Sequence, residues 1–374
     1  MFILVKKNTQ EVKIAFVEMP QNVQGVLAEQ INSVFEKKVK FSFISTDEFN
    51  KSKLKNFDYV FCVKGNAILD REEEFIAFPK EWYKDFPTAV EYSSGKEIPI
   101  LLNHYELNYN KDFFNEEKLN YPRSFAELQN SLYELKEYVF LPFYCTGGDD
   151  RTLLALLSCF VESLGGSLGY NQFIKNLQES DSFAENLEKE IYKYPNSSNV
   201  LTLKTILDGL IVWQKNEILH SNWYEAKPGD LNVFLEMNQI GVFFESFYNH
   251  REINPKLIRN YDTDRFPVLQ VGEPHGVIQP VFVCVKTSNK KQEDENIRLL
   301  TLAEKQYYLS VKTKLAPVNS SAQCYDKQAD DVRFLAAACS DGPMPDIYNA
   351  VFQGKEDKAH VFAQAIRQYL KQSK

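Results

Sequence analysis

Patterns typical of metal centres and disulfide frameworks are missing from the sequence. Its six cysteines include no C-x-x-C pair, and several lie within apolar runs. Buried free thiols fit this distribution better than a disulfide framework or a zinc site. The five histidines are far apart, and no two of them have the spacing of metal ligands on one helix. We therefore expect no metal ion and no cofactor.

Long apolar runs and a strongly basic balance are missing as well. No apolar stretch approaches the length of about 18 residues that a membrane-spanning helix needs. The run Phe2–Val5 is too short for the apolar core of a signal peptide. Taken literally, the sequence predicts a cytoplasmic protein; the alternative is that an export signal was trimmed or missed when the start was chosen. The net charge of -8 predicts no nucleic-acid partner.

Aromatic side chains are abundant, with 20 Tyr and 28 Phe but 3 Trp. Some of these rings must be exposed or half-buried, and aromatic side chains with a polar tip suit ligand-binding surfaces. The alternative is that the lineage simply favours Phe and Tyr codons.

The first third of the chain predicts a parallel sheet. Short strands are expected at Val12–Val17, Val39–Ile44 and Tyr59–Val63, and the spacing of apolar residues predicts a helix over Val23–Phe35. Such a β-α-β series forms parallel strands joined by right-handed crossovers. Ligands bind beyond the carboxyl ends of such strands. The loops Glu18–Asn22 and Lys64–Asn66 occupy that position, which makes Lys64 and Asn66 candidate ligand contacts.

The remaining chain repeats α/β segments and predicts a second lobe. A helix over Phe125–Lys136 is expected to begin at the capping residue Ser124, and an apolar helix from about Thr152 to end at Gly165-Gly166. Further elements are a helix over Leu201–Leu219 and strands at Val139–Tyr144, Gly241–Phe244 and Val277–Val285. We predict an α/β protein of two lobes, each a mixed or parallel sheet flanked by helices. The first comprises residues 1–103 and 249–312, and the second 104–248 and 313–374.

Two glycine-containing motifs allow a catalytic interpretation. Gly165–Gly169 matches the G-x-S-x-G pattern of serine hydrolases, with Ser167 as nucleophile, but the pattern here ends a helix instead of joining a strand to one. Gly147-Gly148 could open a phosphate-binding turn, although Asp149 and Asp150 would repel an anion. Those carboxylates could cap the helix or accept hydrogen bonds from ligand hydroxyls.

Aromatic and acidic residues at predicted loop and strand ends suit a sugar site. Sugar binding needs an aromatic platform with planar polar groups at the edge of a pocket. Trp223 lies in a predicted loop after the long helix, and Glu245 lies with Tyr248 at the end of a predicted strand. We therefore include these three side chains among the candidate ligand contacts.

The order of several short segments resembles the type II periplasmic binding proteins, specifically the sugar-binding receptors of ABC importers (maltose-binding-protein-like). The resemblance covers nearly the whole chain, and Asn108–Phe114 is its most specific part. The other matching segments are Phe57–Val60, Ile98–Ile100, Pro122–Phe125 with Glu127-Leu128, Gly165-Gly166, Gly241–Ser246, Leu315–Val318 and Gly342–Asp346.

The resemblance implies two lobes joined by crossing strands, with a sugar or similar polar solute held between them and no chemistry performed on it. It further implies a monomer that delivers this solute to the permease subunits of an ABC transporter, in the periplasm or anchored outside the membrane. Positions that match ligand contacts of the family are Gln21, Asn22, Asn103, His104, Asp149 and Tyr248.

Two other functions stay open at this point. A receptor of the same fold could serve sensing or have lost its ligand, and the chain could be a hydrolase that uses Ser167.

Overall fold

A computed structural model describes residues 11–87, 95–195, 197–268, 275–288 and 291–372. The run Phe2–Val5 lies outside these residues. The chain divides into two compact units: unit 1 is Met1–Leu102 with Val281–Phe334, and unit 2 is Asn103–Pro280 with Leu335–Lys374. These boundaries differ from the predicted ones. Residues 249–280 belong to unit 2 and residues 313–334 to unit 1.

The described strands and helices are as follows. The strands are β1 (Val12–Val17), β2 (Val39–Ile44), β3 (Tyr59–Val63), β4 (Glu97–Leu102), β5 (Tyr105–Asn110), β6 (Leu141–Tyr144), β7 (Glu190–Lys193), β8 (Val200–Thr202), β9 (Ile240–Ser246), β10 (Tyr261–Arg265), β11 (Val277–Ile278), β12 (Val281–Lys286), β13 (Ala316–Pro317) and β14 (Pro343–Met344). The helices are α1 (Gln21–Val34), α2 (Thr46–Lys51), α3 (Asn66–Leu69), α4 (Lys111–Glu116), α5 (Phe125–Leu135), α6 (Asp150–Glu179), α7 (Phe183–Glu188), α8 (Leu203–Lys215), α9 (Pro228–Glu236), α10 (Phe247–His250), α11 (Pro255–Ile258), α12 (Lys291–Leu299), α13 (Ala303–Thr313), α14 (Lys327–Ala338) and α15 (Glu356–Gln372).

Unit 1 is built on one mixed sheet. Its described strands follow the order β13-β4-β12-β3-β1-β2. β1 is parallel to both β2 and β3, while β12 is antiparallel to β3 and β4. The predicted β-α-β start of the sheet is confirmed, because β-branched and aromatic runs form the strands and the apolar face of α1 (Val23, Leu27, Ile31) is buried.

A buried ion pair joins β12 to α12 in unit 1. The Lys286 ammonium contacts the Asp294 carboxylate, and the Tyr59 hydroxyl donates a hydrogen bond of 2.7 Å to Asp294 Oδ1. Lys286 and Asp294 are 3% and 8% exposed. A buried charge is costly without a partner, so separating Lys286 from Asp294 would be unfavourable. The ion pair therefore holds α12 against β12.

Unit 2 is built on a sheet whose described strands follow the order β10-β5-β9-β6. β5 is antiparallel to β9 and β10, and β6 is parallel to β9. The predicted cap of α5 is confirmed: Ser124 accepts a hydrogen bond from the Glu127 N–H, and the Glu127 side chain bonds back to the Ser124 N–H. The pairing of β10 with β5 is the reason that residues 249–280 belong to this unit.

The apolar helix is interrupted at Gly165-Gly166, as predicted. Gly166 takes a non-helical conformation, with φ 60° and ψ -171°, and a second helical segment continues from it to Glu179. A positive φ favours glycine, so α6 consists of two helical segments that meet at a kink at Gly166. A side chain at Gly165 would have its Cβ 3.1 Å from Leu201 Cδ2. The backbone therefore approaches β8 closely at this point.

The continuation of α6 changes the expectation about long apolar segments. By length and composition α6 could cross a membrane, but 78% of its most apolar 18-residue window is buried inside the protein. Leu154, Ala155, Phe160 and Val161 of this helix lie in the core of unit 2. The burial identifies α6 as a core helix.

Candidate functional site

Four candidate residues lie at one edge of the sheet in unit 1. Gln21 and Asn22 begin α1 just after β1, and Lys64 and Asn66 follow β3. Since β1 and β3 are adjacent parallel strands, their carboxyl ends share an edge. Gln21 and Asn22 are exposed there.

Lys64 and Asn66 are engaged inside unit 1. Lys64 Nζ lies 3.1 Å from Glu97 Oε2, and the two side chains are 16% and 2% exposed. Burial lowers the pKa of Lys64 and raises the pKa of Glu97, and their attraction opposes both effects. Asn66 Nδ2 donates to Asp70 Oδ2 at 2.8 Å. Of the four residues, Gln21 and Asn22 are the more accessible to a ligand.

In unit 2 the structure brings four candidate residues together where β5 begins and β9 ends. The Tyr248 N–H donates to Asn103 Oδ1 at 3.0 Å, and the Phe247 N–H donates to the His104 carbonyl at 2.7 Å. The strand register then places Tyr105 opposite Ser246 and Glu106 opposite Glu245. Residues far apart in sequence therefore form one cluster, which we call the strand-end cluster: Asn103, His104, Glu245 and Tyr248.

Glu245 is the buried acid of the strand-end cluster. Its Oε1 accepts hydrogen bonds from the Ser246 N–H at 2.7 Å and from Asn249 Nδ2 at 3.0 Å. Burial raises the pKa of Glu245 to about 7, and the nearby carboxylates of Asp149 and Glu106 act in the same direction, against the two hydrogen bonds. Glu245 is thus partly protonated near neutral pH.

Asp149 and Asp150 both hold the turn before α6. Asp149 caps the helix, since its Oδ2 accepts from the N–H and the hydroxyl of Thr152, both at 2.8 Å. Asp150 pairs with Arg367 at 2.6 Å and with His360 at 2.7 Å. Of the two roles that the sequence left open for these carboxylates, helix capping is what Asp149 performs.

Arg367 was missed by the sequence reasoning. From α15 its guanidinium donates to the Gly147 carbonyl at 3.0 and 2.9 Å and to the Tyr224 carbonyl at 3.1 Å, in addition to the bond with Asp150. One buried side chain thus joins the turn before α6 to the loop that contains Trp223. No local pattern in the sequence indicates this contact.

Trp223 packs under that turn and forms one wall of a pocket. A Cβ at Gly147 would lie 2.7 Å from the Trp223 ring, which explains why glycine occupies this position. The pocket has a volume of about 310 Å3, and its aromatic walls are Tyr144, Trp223 and Phe234. Its polar lining consists of His220, Asn222, Glu225 and Asp230. Tyr144, the last residue of β6, could have been found from the rule that ligands bind at carboxyl ends of strands.

Comparisons with known proteins give full-length matches in structure. The bacterial solute receptor AcbH, whose substrate preference is β-D-galactopyranose, is 12% identical, with a TM-score of 0.76 over 97% of this chain and 93% of its own. RafE from Streptococcus pneumoniae is 14% identical, with a TM-score of 0.68 over 97% and 98%. A probable secreted solute-binding lipoprotein from Streptomyces coelicolor is 10% identical, with a TM-score of 0.68 over 97% and 98%.

The chain has the fold of these solute receptors. The expected fold class, two-domain α/β with helices flanking mixed sheets, is confirmed. No protein-family model matches the sequence, and no curated protein matches it.

Within this solute-receptor fold, Ser167 lacks the surroundings of a catalytic nucleophile. It lies in α6 directly after the kink at Gly166, is 3% exposed, and has no hydrogen-bond partner among residues that the structure describes. A nucleophile needs a neighbouring base and an accessible position at a strand-to-helix turn. In the described ranges, no three His, Cys, Asp or Glu side chains are grouped as metal ligands.

Another buried acid of unit 2, Glu162, lies beside His104. Glu162 on α6 lines a cavity of about 10 Å3, room for about one water molecule, together with His104 and Arg265. Glu162 Oε1 accepts from the Gly276 N–H at 2.9 Å, and burial raises the pKa of Glu162 to about 7. Burial lowers the pKa of His104 to about 4. Near neutral pH His104 is therefore held neutral, and Glu162 is partly protonated.

Glu162→Gln is expected to change how stability depends on pH. Between about pH 4.5 and 7 the folded protein keeps a proton on Glu162 that the unfolded chain has released, so this group makes the free energy of unfolding fall as pH rises. Relative to wild type, the variant should gain up to about 3 kcal/mol between pH 4 and pH 8. Urea denaturation across this range measures the difference. Glu179→Gln, an exposed change on the same helix, serves as control, and parallel curves for Glu162→Gln and wild type would contradict the prediction.

Proposed function

We propose that this protein is a sugar-binding member of the receptor family that feeds ABC importers, and that it captures a sugar or oligosaccharide for a membrane permease. The observation that carries the proposal lies in unit 2: the strand-end cluster is at the end of β9, and an aromatic-walled pocket is at the same end of the adjacent parallel strand β6. The solute-receptor fold supports it, as does the binding of sugars by structural neighbours: AcbH prefers a galactopyranose, and a RafE structure is in complex with raffinose.

The side chains in unit 2 suit the two surfaces of a sugar. Hydroxyl groups both donate and accept, and amide and carboxyl groups such as those of Asn103 and Glu245 complement them. The apolar face of a pyranose packs on aromatic rings, which Tyr248 and the pocket walls Tyr144 and Trp223 supply. We further propose that Gln21 and Asn22 of unit 1 contribute polar contacts, with Lys64 and Asn66 as less accessible ones.

Location and partners follow from the same proposal. A receptor that feeds an importer acts outside the cytoplasmic membrane. The structural neighbour from Streptomyces coelicolor, a probable secreted solute-binding lipoprotein, supports this location. Such a receptor works as a monomer that docks on permease subunits. It binds its solute and leaves it chemically unchanged.

A calorimetric and thermal-shift screen tests the proposal. D-galactose, raffinose and a panel of other mono- and oligosaccharides are added to the purified protein. A sugar present at 100 times its dissociation constant stabilises the folded state by about 2.7 kcal/mol, which shifts the melting temperature measurably. Saturable binding of a sugar supports the proposal, and its absence across the panel contradicts it.

Tyr248→Ala should abolish the sugar-induced shift in melting temperature. The substitution removes the proposed stacking ring but keeps the backbone N–H that bonds to Asn103, so the melting temperature without sugar should stay nearly unchanged. Tyr248→Phe keeps the ring and should retain most of the shift. Tyr138→Ala removes a tyrosine that is 55% exposed elsewhere in unit 2 and serves as control. A full shift in Tyr248→Ala would remove this residue from the proposed site.

A further inference from the structure

Two buried carboxyl groups face each other across β5 and β9. The strand register pairs Glu106 directly with Glu245, and the two residues are 1% and 6% exposed. Glu106 contacts the His250 imidazole at 2.5 Å. Glu245 instead has two N–H donors, the Ser246 backbone and the Asn249 amide. Like charges directly opposite each other on adjacent strands repel, so Glu106 disfavours the charged form of Glu245.

The hydrogen bonds of Glu245 occupy one of its two oxygens. The Ser246 N–H and Asn249 Nδ2 both bond to Oε1, and Oε2 has no hydrogen-bond partner in the ranges that the structure covers. Oε2 is not among the fully buried side-chain atoms that lack a hydrogen-bond partner, so it keeps some accessible surface. Oε2 is therefore the atom of Glu245 that a ligand group can reach with a hydrogen bond.

The groups around Glu245 are mostly neutral or negative. Asp149 faces it from the capping position before α6. Glu106 lies on β5, just after the buried His104. Tyr144 ends β6, and Cys145 follows it. From α10 come His250, which serves Glu106, and then Arg251, whose guanidinium lies over the Phe247 ring at 3.7 Å. Burial together with Asp149 and Glu106 disfavours the carboxylate form of Glu245, in keeping with its pKa of about 7.

We propose that Glu245 recognises the sugar as a neutral carboxylic acid, its Oε2–H donating to a sugar oxygen, so that capture is coupled to proton uptake. The inference rests on the proposed function. A protonated carboxyl can donate where a carboxylate can only accept. Displacing water from the site desolvates Glu245 further and so favours the protonated form in the complex. The ligand class is then a neutral sugar that offers an acceptor oxygen to Oε2.

The coupling predicts a pH profile for affinity. The association constant of raffinose or D-galactose, whichever binds, should be nearly constant from pH 5.5 to about 6.5. It should then fall about tenfold per pH unit above neutrality, or about 100-fold by pH 9. Titration calorimetry at pH 8 in two buffers of different ionisation enthalpy should reveal the uptake of close to one proton in the wild-type protein.

Matched variants separate this effect from general changes with pH. Glu245→Gln keeps the amide-bonded oxygen and supplies a permanent N–H donor, so its affinity should lose the decline above neutrality and its proton uptake. Glu162→Gln, the same change at another buried acid of unit 2, should keep the wild-type profile.

The outcomes distinguish the inference from the proposed function. Wild-type binding that is independent of pH, or binding at pH 8 without proton uptake, would overturn the inference and leave the sugar receptor standing; neither measurement depends on a variant. Failure of every sugar to bind between pH 5.5 and 9 would overturn both. An unchanged decline in folded Glu245→Gln would assign the coupling to another group and overturn the role of Glu245.

Discussion

Asp294→Ala should lower the free energy of unfolding by about 3–5 kcal/mol. The substitution leaves the Lys286 ammonium buried without its carboxylate, and it removes the acceptor of the Tyr59 hydroxyl. Breaking a buried ion pair by removing one partner has this magnitude, because the remaining charge keeps its desolvation penalty and loses its compensation. Urea denaturation at neutral pH, followed by circular dichroism, measures the loss.

Two further variants show whether the effect comes from the orphaned charge. The double variant Lys286→Met with Asp294→Leu replaces the pair by apolar side chains of similar size and should recover most of the loss. Asp331→Ala breaks an exposed pair with Lys327 at 3.8 Å and should change stability by less than about 0.5 kcal/mol. A loss below about 1 kcal/mol in Asp294→Ala would mean that Lys286 finds another partner or reaches solvent.

Arg367→Ala should cost about 3 kcal/mol and weaken sugar binding as well. The guanidinium satisfies the carbonyls of Gly147 and Tyr224 and the Asp150 carboxylate from inside the protein. Without it these acceptors lose charge-assisted hydrogen bonds, and the turn that precedes Asp149 is less firmly held. Chemical denaturation measures the first effect, and calorimetry with the sugar identified by the screen measures the second.

A residue one helical turn further along α15 provides the matched control. Lys371 pairs with Glu225 at 3.6 Å, and both side chains are more than half exposed. Lys371→Ala should therefore be nearly neutral. Arg367→Lys keeps the charge but loses the planar fork that reaches two carbonyls, so it should fall between wild type and Arg367→Ala. Equal stabilities for the Lys and Ala variants at position 367 would contradict the role of the fork.

Local patterns in the sequence predicted most of the elements and some of the caps. Strands such as Val12–Val17 and the Ser124 cap depend on neighbours a few residues away, so their physics is visible in sequence. The interruption at Gly166 follows from the glycine pair, whereas the second helical segment of α6 beyond it was not predicted. The lobe boundaries shifted because β10, with the sequence YDTDR, is polar and β13 is two residues long.

The site was harder to predict because its electrostatics depend on distant residues. The positions of Asn103, Glu245 and Tyr248 at element ends could be predicted, and the structure places them together. Their charge states could not, because Glu245 depends on the register that sets Glu106 opposite it. Likewise the carboxylate of Asp150 pairs with Arg367, which lies more than 200 residues later in the chain.

The way in which the chain leaves each unit and returns to it has a consequence for biosynthesis. β12 lies between β3 and β4 in the sheet of unit 1, yet it is synthesised more than 200 residues after β3. At translation rates of 5–20 residues per second that delay is about 10–40 seconds. Unit 2 in turn lacks α15, and with it the hydrogen bonds of Arg367, until residues 356–372 have been synthesised. Neither unit can therefore complete its hydrogen bonding before most of the chain has been made. A chain that terminates near residue 350 would lack the bond from Arg367 to the Gly147 carbonyl and the packing of α15 on the core of unit 2.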